Sequence, residues 1–343
     1  MSRYTPLPPI GSPRPDDDSN SEKEASDVKN EDDDDGEDNF EEFNLYDVSM
    51  EDIFAKLRRI LPIMARKVTI KQASYLSSVG DKFRNATQGD QLGRHLASLQ
   101  FVEIFQRHWK DNFESVVPET CDPFDWYKAY ALLLVMWNMS DKCSTICERI
   151  LKVELHSDLL NFLESDHLKP NLMNDDKASS IVQAFIGIMH NVVQRAAGAR
   201  EALRACNAVE RIQPFRECSN RMVSCVSLMI QSYLVTEAEN EKINSDDEVF
   251  ELFVKFLNAA IKQESYMGVN FAVYEVLEVL NKLAANDKNK YRIVKSGALP
   301  YYVDLMGPKW TQREQAEAAH GLWILAFKCK DEINKQPGCI EGV

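Results

Sequence analysis

Six histidines (His95, His108, His156, His167, His190 and His320) and eight cysteines are the side chains best suited to acid–base, nucleophilic or metal chemistry in this 343-residue sequence. The histidines stand singly, with no H-E-x-x-H and no close partner in the chain. His190 and His320 draw most interest, because each lies in a long apolar helical pattern. A satisfied semi-buried imidazole or a hydrogen-bonding surface residue is the reading favoured over a catalytic base. The cysteines are Cys121, Cys143, Cys147, Cys206, Cys218, Cys225, Cys329 and Cys339. None is paired at C-x-x-C spacing, and most sit inside apolar pattern, as small buried hydrophobes of a reducing compartment do. The Asp246–Asp247 pair in "NSDDEVF" fits a helix N-terminus, with Ser245 or Asp246 as the cap. There is no phosphate-binding glycine loop and no G-x-S-x-G elbow. No metal, cofactor or catalytic residue is expected, and the chain is read as non-enzymatic.

Charge constrains the elements that would position any site. The net charge is −14, but residues 1–50 hold 16 acids against Arg3, Arg14, Lys23 and Lys29, so the remainder is close to neutral. That argues against a general nucleic-acid footprint, which needs clustered basic surface. The longest apolar run, "AYALLLVMWNM", is about half the length of a membrane span. Residues 1–45, with "EDDDDGED" near their end, read as a disordered acidic tail. Ser12, before Pro13, and Ser21, followed by Glu22 and Glu24, are its candidate phosphorylation sites.

Order is expected from Ser49. "SMEDIFAKLRRILPIMARK" offers Ser49 as a helix cap, with Ile53, Leu57, Ile60, Leu61 and Met64 on one face. Lys56, Arg58, Arg59, Arg66, Lys67 and Lys71 decorate this helix and the residues just after it. They form a solvated face or a dock for the acidic tail, with an anionic lipid surface ranked last. Residues 46–124 are assigned to an N-terminal helical cap. Residues 125–343 are assigned to repeats, the last of them cut short.

Five helix ends carry the repeat: "LLLVMWNMS" (132–140), "FIGIMHNVV" (185–193), "VSLMIQSYL" (226–234), "VLEVLNKLA" (276–284) and "AHGLWILAF" (319–327). Three of them are followed by a short helix, a turn and a second helix, as in "KYRIVKSGALPYYVDLM". There Gly297 suits a left-handed helix end, and Pro300 suits the first turn of the next helix. A helix apolar on most faces must be covered from both sides, so the units must stack.

These residues resemble the armadillo repeat, a three-helix unit of about 40 residues. "SGALPYYVDLM" with "QAEAAHGLWILAF" carries the likeness best, and HEAT-type helix pairs are the second reading. The resemblance implies an all-α, right-handed solenoid that binds a partner protein in a concave groove. Asn138, Asn191, Ser232 and Lys282 would lie along that groove, with His190 and His320 beside it. In nuclear-import adaptors of the family, a Trp stands four residues before each groove Asn. Those positions read Leu134, Gly187, Leu228, Glu278 and His320 here, so that peptide clamp is missing. Trp137 and Trp323 are expected to face the core.

The closing "LWILAFKCKDEINKQPGCIEGV" is similar to armadillo regions that some animal cytosolic signalling proteins place ahead of a TIR domain. No TIR-like pattern occurs in the sequence. The function expected is a cytoplasmic, or else nuclear, interaction scaffold or adaptor in signalling. The alternative is a regulatory or assembly segment of a larger effector enzyme, with self-association through an uncapped C-terminal end. Neither nucleic acid nor a membrane is the expected partner.

Overall fold

The structure, a computed structural model, describes residues 45, 47–83, 88–113, 123–169, 176–240, 243 and 245–338. The acidic stretch before Leu45, with Ser12 and Ser21, lies outside these residues, as do Cys121 and Cys339. The described residues are all-α. In chain order the helices are α1 (Met50–Met64), α2 (Ile70–Phe83), α3 (Gly89–Ser98), α4 (Phe101–Phe113), α5 (Pro123–Lys142), α6 (Ser144–Lys152), α7 (Leu155–Leu163), α8 (Asp176–Arg195) and α9 (Ala199–Ala205). They continue with α10 (Ala208–Arg216), α11 (Arg221–Leu234), α12 (Glu237–Asn240), α13 (Asp247–Ile261), α14 (Val273–Leu283), α15 (Asp287–Lys295), α16 (Leu299–Leu305), α17 (Gln312–Ala326) and α18 (Lys330–Lys335).

Six of these helices form a spine in which each packs against the next: α2, α5, α8, α11, α14 and α17. The five apolar helix ends read from the sequence fall in the last five of them. Burial explains their composition. Every residue of α11 from Met222 to Leu234 is buried, because α8, α9, α10, α13 and α14 surround it. A helix apolar all round is stable only when covered all round, and the stack provides that cover. The resulting all-α solenoid is the architecture expected. The same packing reaches into the region assigned to an N-terminal cap, where α2, α3 and α4 all pack on α5.

Short helix pairs flank the spine, and one left-handed residue separates the members of each pair. Gln100 (φ 61°) stands between α3 and α4, and Glu154 (φ 59°) between α6 and α7. Asn207 (φ 54°) parts α9 from α10, and Gly297 (φ 87°) parts α15 from α16. Gly297 and Pro300 act as the sequence suggests: the glycine follows α15, and Pro300 sits in the first turn of α16.

The helix starts follow side-chain caps. Ser49 accepts from the Asp52 amide at 3.2 Å, which opens α1, and Ile53, Leu57, Leu61 and Met64 are its buried stripe. Asp246 accepts from the Val249 amide at 2.9 Å, which opens α13. At α17, Thr311 accepts from the Glu314 amide while Glu314 reaches back to the Thr311 amide at 2.9 Å. Each cap satisfies amides that the first helical turn leaves unpaired. Among the described residues no helix is long and apolar enough to cross a membrane.

Candidate partner-binding crevice

The positions expected along a groove divide into two groups. Asn138, Asn191, Ser232 and His190 are buried, and the expectation that they present themselves to a partner is corrected. The C-terminal halves of the spine helices face neighbouring spine helices, so these side chains work between helices. Asn191 donates to Ser140 Oγ at 2.9 Å and to the Trp137 carbonyl, which ties α8 to α5. Ser232 donates back to the Met229 carbonyl at 2.7 Å, and its own carbonyl accepts from Asn240. His190 packs against Phe271 edge-on and against Tyr233, with ring centroids 5.7 and 6.2 Å away. Burial drives the His190 pKa below its ordinary value.

Lys282 and His320 do reach open space. Together with Ile324 they line a crevice of ≈ 670 Å³ built mainly from α14, α15 and α17, with Arg200 of α9 and Glu237 and Asn240 of α12 at its edge. Its floor is a buried polar knot. Asn281 of α14 donates to the Glu317 carbonyl at 2.8 Å and to the Glu317 carboxylate at 2.9 Å, and it accepts from the Tyr302 hydroxyl at 3.0 Å. One side chain thus joins α14, α16 and α17. Above it, Glu278 stands between Lys282 at 3.7 Å and Arg313 at 3.5 Å. Arg313 also lies 3.6 Å over the Tyr274 ring. Burial raises the Glu278 pKa and the Glu317 charge adds to it, with Lys282 and Arg313 opposing. At the far side Asp287 bridges Lys290 (2.7 Å) and Lys328 (3.0 Å), the two ammonium groups holding its carboxyl below the usual range.

The rim is aromatic. Trp323, expected in the core, is 62% exposed, and Phe327 beside it is 64% exposed. His320 stacks on Trp323 with centroids 6.0 Å apart, and Phe327 meets the same indole edge-on at 5.1 Å. Spacing of three and four residues places these rings in one row along α17. Trp137, one spine position before the Asn register in the same way, is buried as expected. The difference lies in the cover: α8 lies over Trp137, and among the described residues no spine helix follows α17. The sequence does separate the two tryptophans: Leu134, Leu133 and Tyr130 share the helix face of Trp137, whereas His320, Ala319 and Ala316 share that of Trp323.

The positions expected to dock the acidic tail are spread over α1 and its exit. The Lys56 ammonium lies 4.0 Å over the Tyr75 ring, Arg58 and Arg59 are exposed, and Arg66 and Lys67 lie beyond the other end of the helix. Of the cysteines, Cys143, Cys147, Cys218, Cys225 and Cys329 are buried free thiols and Cys206 is half-buried. Burial pushes the Cys225 thiol to about 12 and the Cys329 thiol to about 11, which suppresses nucleophilic thiolate.

No protein-family model matches the chain, and no curated protein matches it. Solved structures do. An engineered protein aligns over 80% of this chain and 97% of its own, at 12% identity and a TM-score of 0.46. A designed armadillo repeat protein covers 78% of this chain and 99% of its own, at 9% identity and a TM-score of 0.43. A designed armadillo repeat protein in complex with the peptide (KR)4 covers 79% and 99%, at 12% identity and a TM-score of 0.42.

Proposed function

We propose that the protein is a non-enzymatic armadillo-type interaction scaffold that takes a segment of a partner protein in the α14–α17 crevice. The observation that carries this reading is the exposed row His320–Trp323–Phe327 set above the Glu278 and Glu317 carboxylates. Exposed aromatic side chains at the mouth of a crevice are the usual anchors of an interface. The neighbouring carboxylates favour a segment that sets Lys or Arg beside an aliphatic or aromatic residue, its cation shared between carboxylate and ring. A reducing, cytoplasmic setting and a place in signalling belong to the same proposal. The free buried thiols support the setting.

Its test is fluorescence anisotropy with labelled peptides that alternate Lys or Arg with Leu or Trp, set against acidic peptides of equal length. The reading expects saturable binding of the first set and a loss of about tenfold or more with Trp323→Ala, Phe327→Ala at unchanged helicity. Equal binding by acidic peptides, or by the double variant, would overturn it.

A further inference from the structure

A second crevice, toward the other end of the chain, is lined mainly by cations. Arg66 and Lys67, exposed in the turn after α1, line a space of ≈ 220 Å³ with Arg107 and His108 of α4 and Lys128 of α5. The Arg107 guanidinium donates to the Ala65 carbonyl at 2.9 Å, which caps the exit of α1 and fixes α4 beneath it. Four guanidinium or ammonium groups and one carboxylate, Asp111, therefore line the crevice, and Lys128 is also paired with Asp125 at 2.6 Å. The α14–α17 crevice, by comparison, sets three cations against four carboxylates. His108, in contact with Asn112 at 3.1 Å, is held neutral because burial, helped by the Lys128 charge, lowers its pKa to about 4.

The same chain carries a matching polyanion. Residues 31–38, "EDDDDGED", hold seven carboxylates in eight positions. Their attachment point is fixed: Lys82 near the end of α2 donates to the carbonyls of Leu45 and Val48, which holds residue 45 near the start of α1. From there to the crevice is the length of α1, whose 15 residues rise about 22 Å in all. Residues 39–44 can extend about 20 Å and residues 31–44 about 48 Å, so the acidic block reaches the crevice without strain. Tethering of this kind gives an effective concentration of about a millimolar, at which weak multivalent charge pairing suffices.

We infer that the acidic segment 31–38 docks intramolecularly in the basic crevice between α1, α4 and α5, its carboxylates on Arg66, Lys67 and Lys128. The docked segment screens this face from outside polyanions and gives way when salt or a stronger anionic competitor is present. The exposed pair Arg58–Arg59 and Lys56, farther back along α1, are not its seat. Lys56 is turned onto Tyr75, and none of the three lines this crevice.

The test is zero-length carbodiimide coupling on the full chain, with the linked peptides read by mass spectrometry. Docking expects the carboxylates of residues 31–38 to couple to Lys67 and Lys128, with a yield that falls about tenfold between about 0.1 M and about 1 M salt as the Debye length shrinks from about 10 Å to about 3 Å. Arg66→Glu keeps both reporter lysines and is expected to cut the Lys128 links about fivefold, while circular dichroism shows the helices intact. Coupling focused on Lys56, or spread evenly over distant lysines such as Lys262 and Lys309, overturns the inference. So does a mixture of heavy- and light-isotope chains in which the links join different chains at the random frequency, which would assign the crevice to a second copy.

Discussion

The indole of Trp137 in α5 lies directly on the bare backbone of Gly187 in α8: a Cβ built at position 187 would fall inside contact distance of Nε1 and Cε2. Mid-helix glycine costs roughly 1 kcal/mol relative to alanine, so the close approach of two spine helices offsets a poor local choice. Gly187→Ala is expected to destabilise the protein by up to about 2 kcal/mol net, since overpacking a rigid core costs about 1–3 kcal/mol against that gain. Urea unfolding measures it. Trp137→Phe in the same chain should recover part of the loss, and a strictly additive double variant would show that the clash lies elsewhere.

The left-handed junctions predict the opposite sign. Gln100 and Glu154 are exposed and hold positive φ without the freedom of glycine, a strain of about 1–2 kcal/mol each by chirality alone. Glu154→Gly and Gln100→Gly should each stabilise the protein by up to about 1 kcal/mol, the larger entropy of the unfolded glycine chain taking back the rest. Gly297→Ala should destabilise it. A Cβ there meets nothing within 4 Å, so its cost is conformational only. Thermal unfolding of the three variants separates the signs.

These same residues mark how far the sequence could be read. The spine helices were legible because a run such as "VSLMIQSYL" has no charged side chain that must stay in water. The Gly297 turn was legible because glycine and proline announce themselves, whereas Glu154 makes the same turn with no signal in its type. The groove register was not legible. Whether Asn191 points to a partner or to Ser140 depends on which neighbour lies over that part of α8, and that depends on crossing geometry rather than on periodicity. Trp323 was legible in part: Ala316 and His320 share its helix face, where Tyr130 and Leu134 share that of Trp137, and the cover that α8 gives Trp137 does the rest.

Acid should loosen the α8–α11–α14 contact. His190 is fully buried, its Nε2 has no hydrogen-bond partner among the described residues, and burial pulls its pKa below 6.5. The folded state therefore holds the imidazole neutral at pH values where the unfolded chain already binds a proton. The stability tied to this group is complete above pH 6.5 and declines as pH drops from there through the lowered value. His190→Gln is expected to flatten the dependence of unfolding free energy on pH over that window, while its plateau above neutrality shifts by the packing change alone. An unchanged slope would assign the acid limb to other groups, among them His108 and His156, whose pKa values burial also lowers.

Floor and rim of the α14–α17 crevice should separate cleanly in one pair of variants. Asn281 is buried and serves three helices at once. Asn281→Ala strands the Tyr302 hydroxyl, itself fully buried, and is expected to cost about 1–3 kcal/mol of stability. Trp323 is 62% exposed and holds no helix in place. Trp323→Ala is expected to leave unfolding within about 0.5 kcal/mol of the parent chain while peptide binding falls about tenfold or more. Asn281→Ala should weaken binding only in proportion to the unfolded fraction, so that measurements at lower temperature restore it. If Trp323→Ala unfolds the protein, the row on α17 is core, and the crevice loses its claim as the partner site.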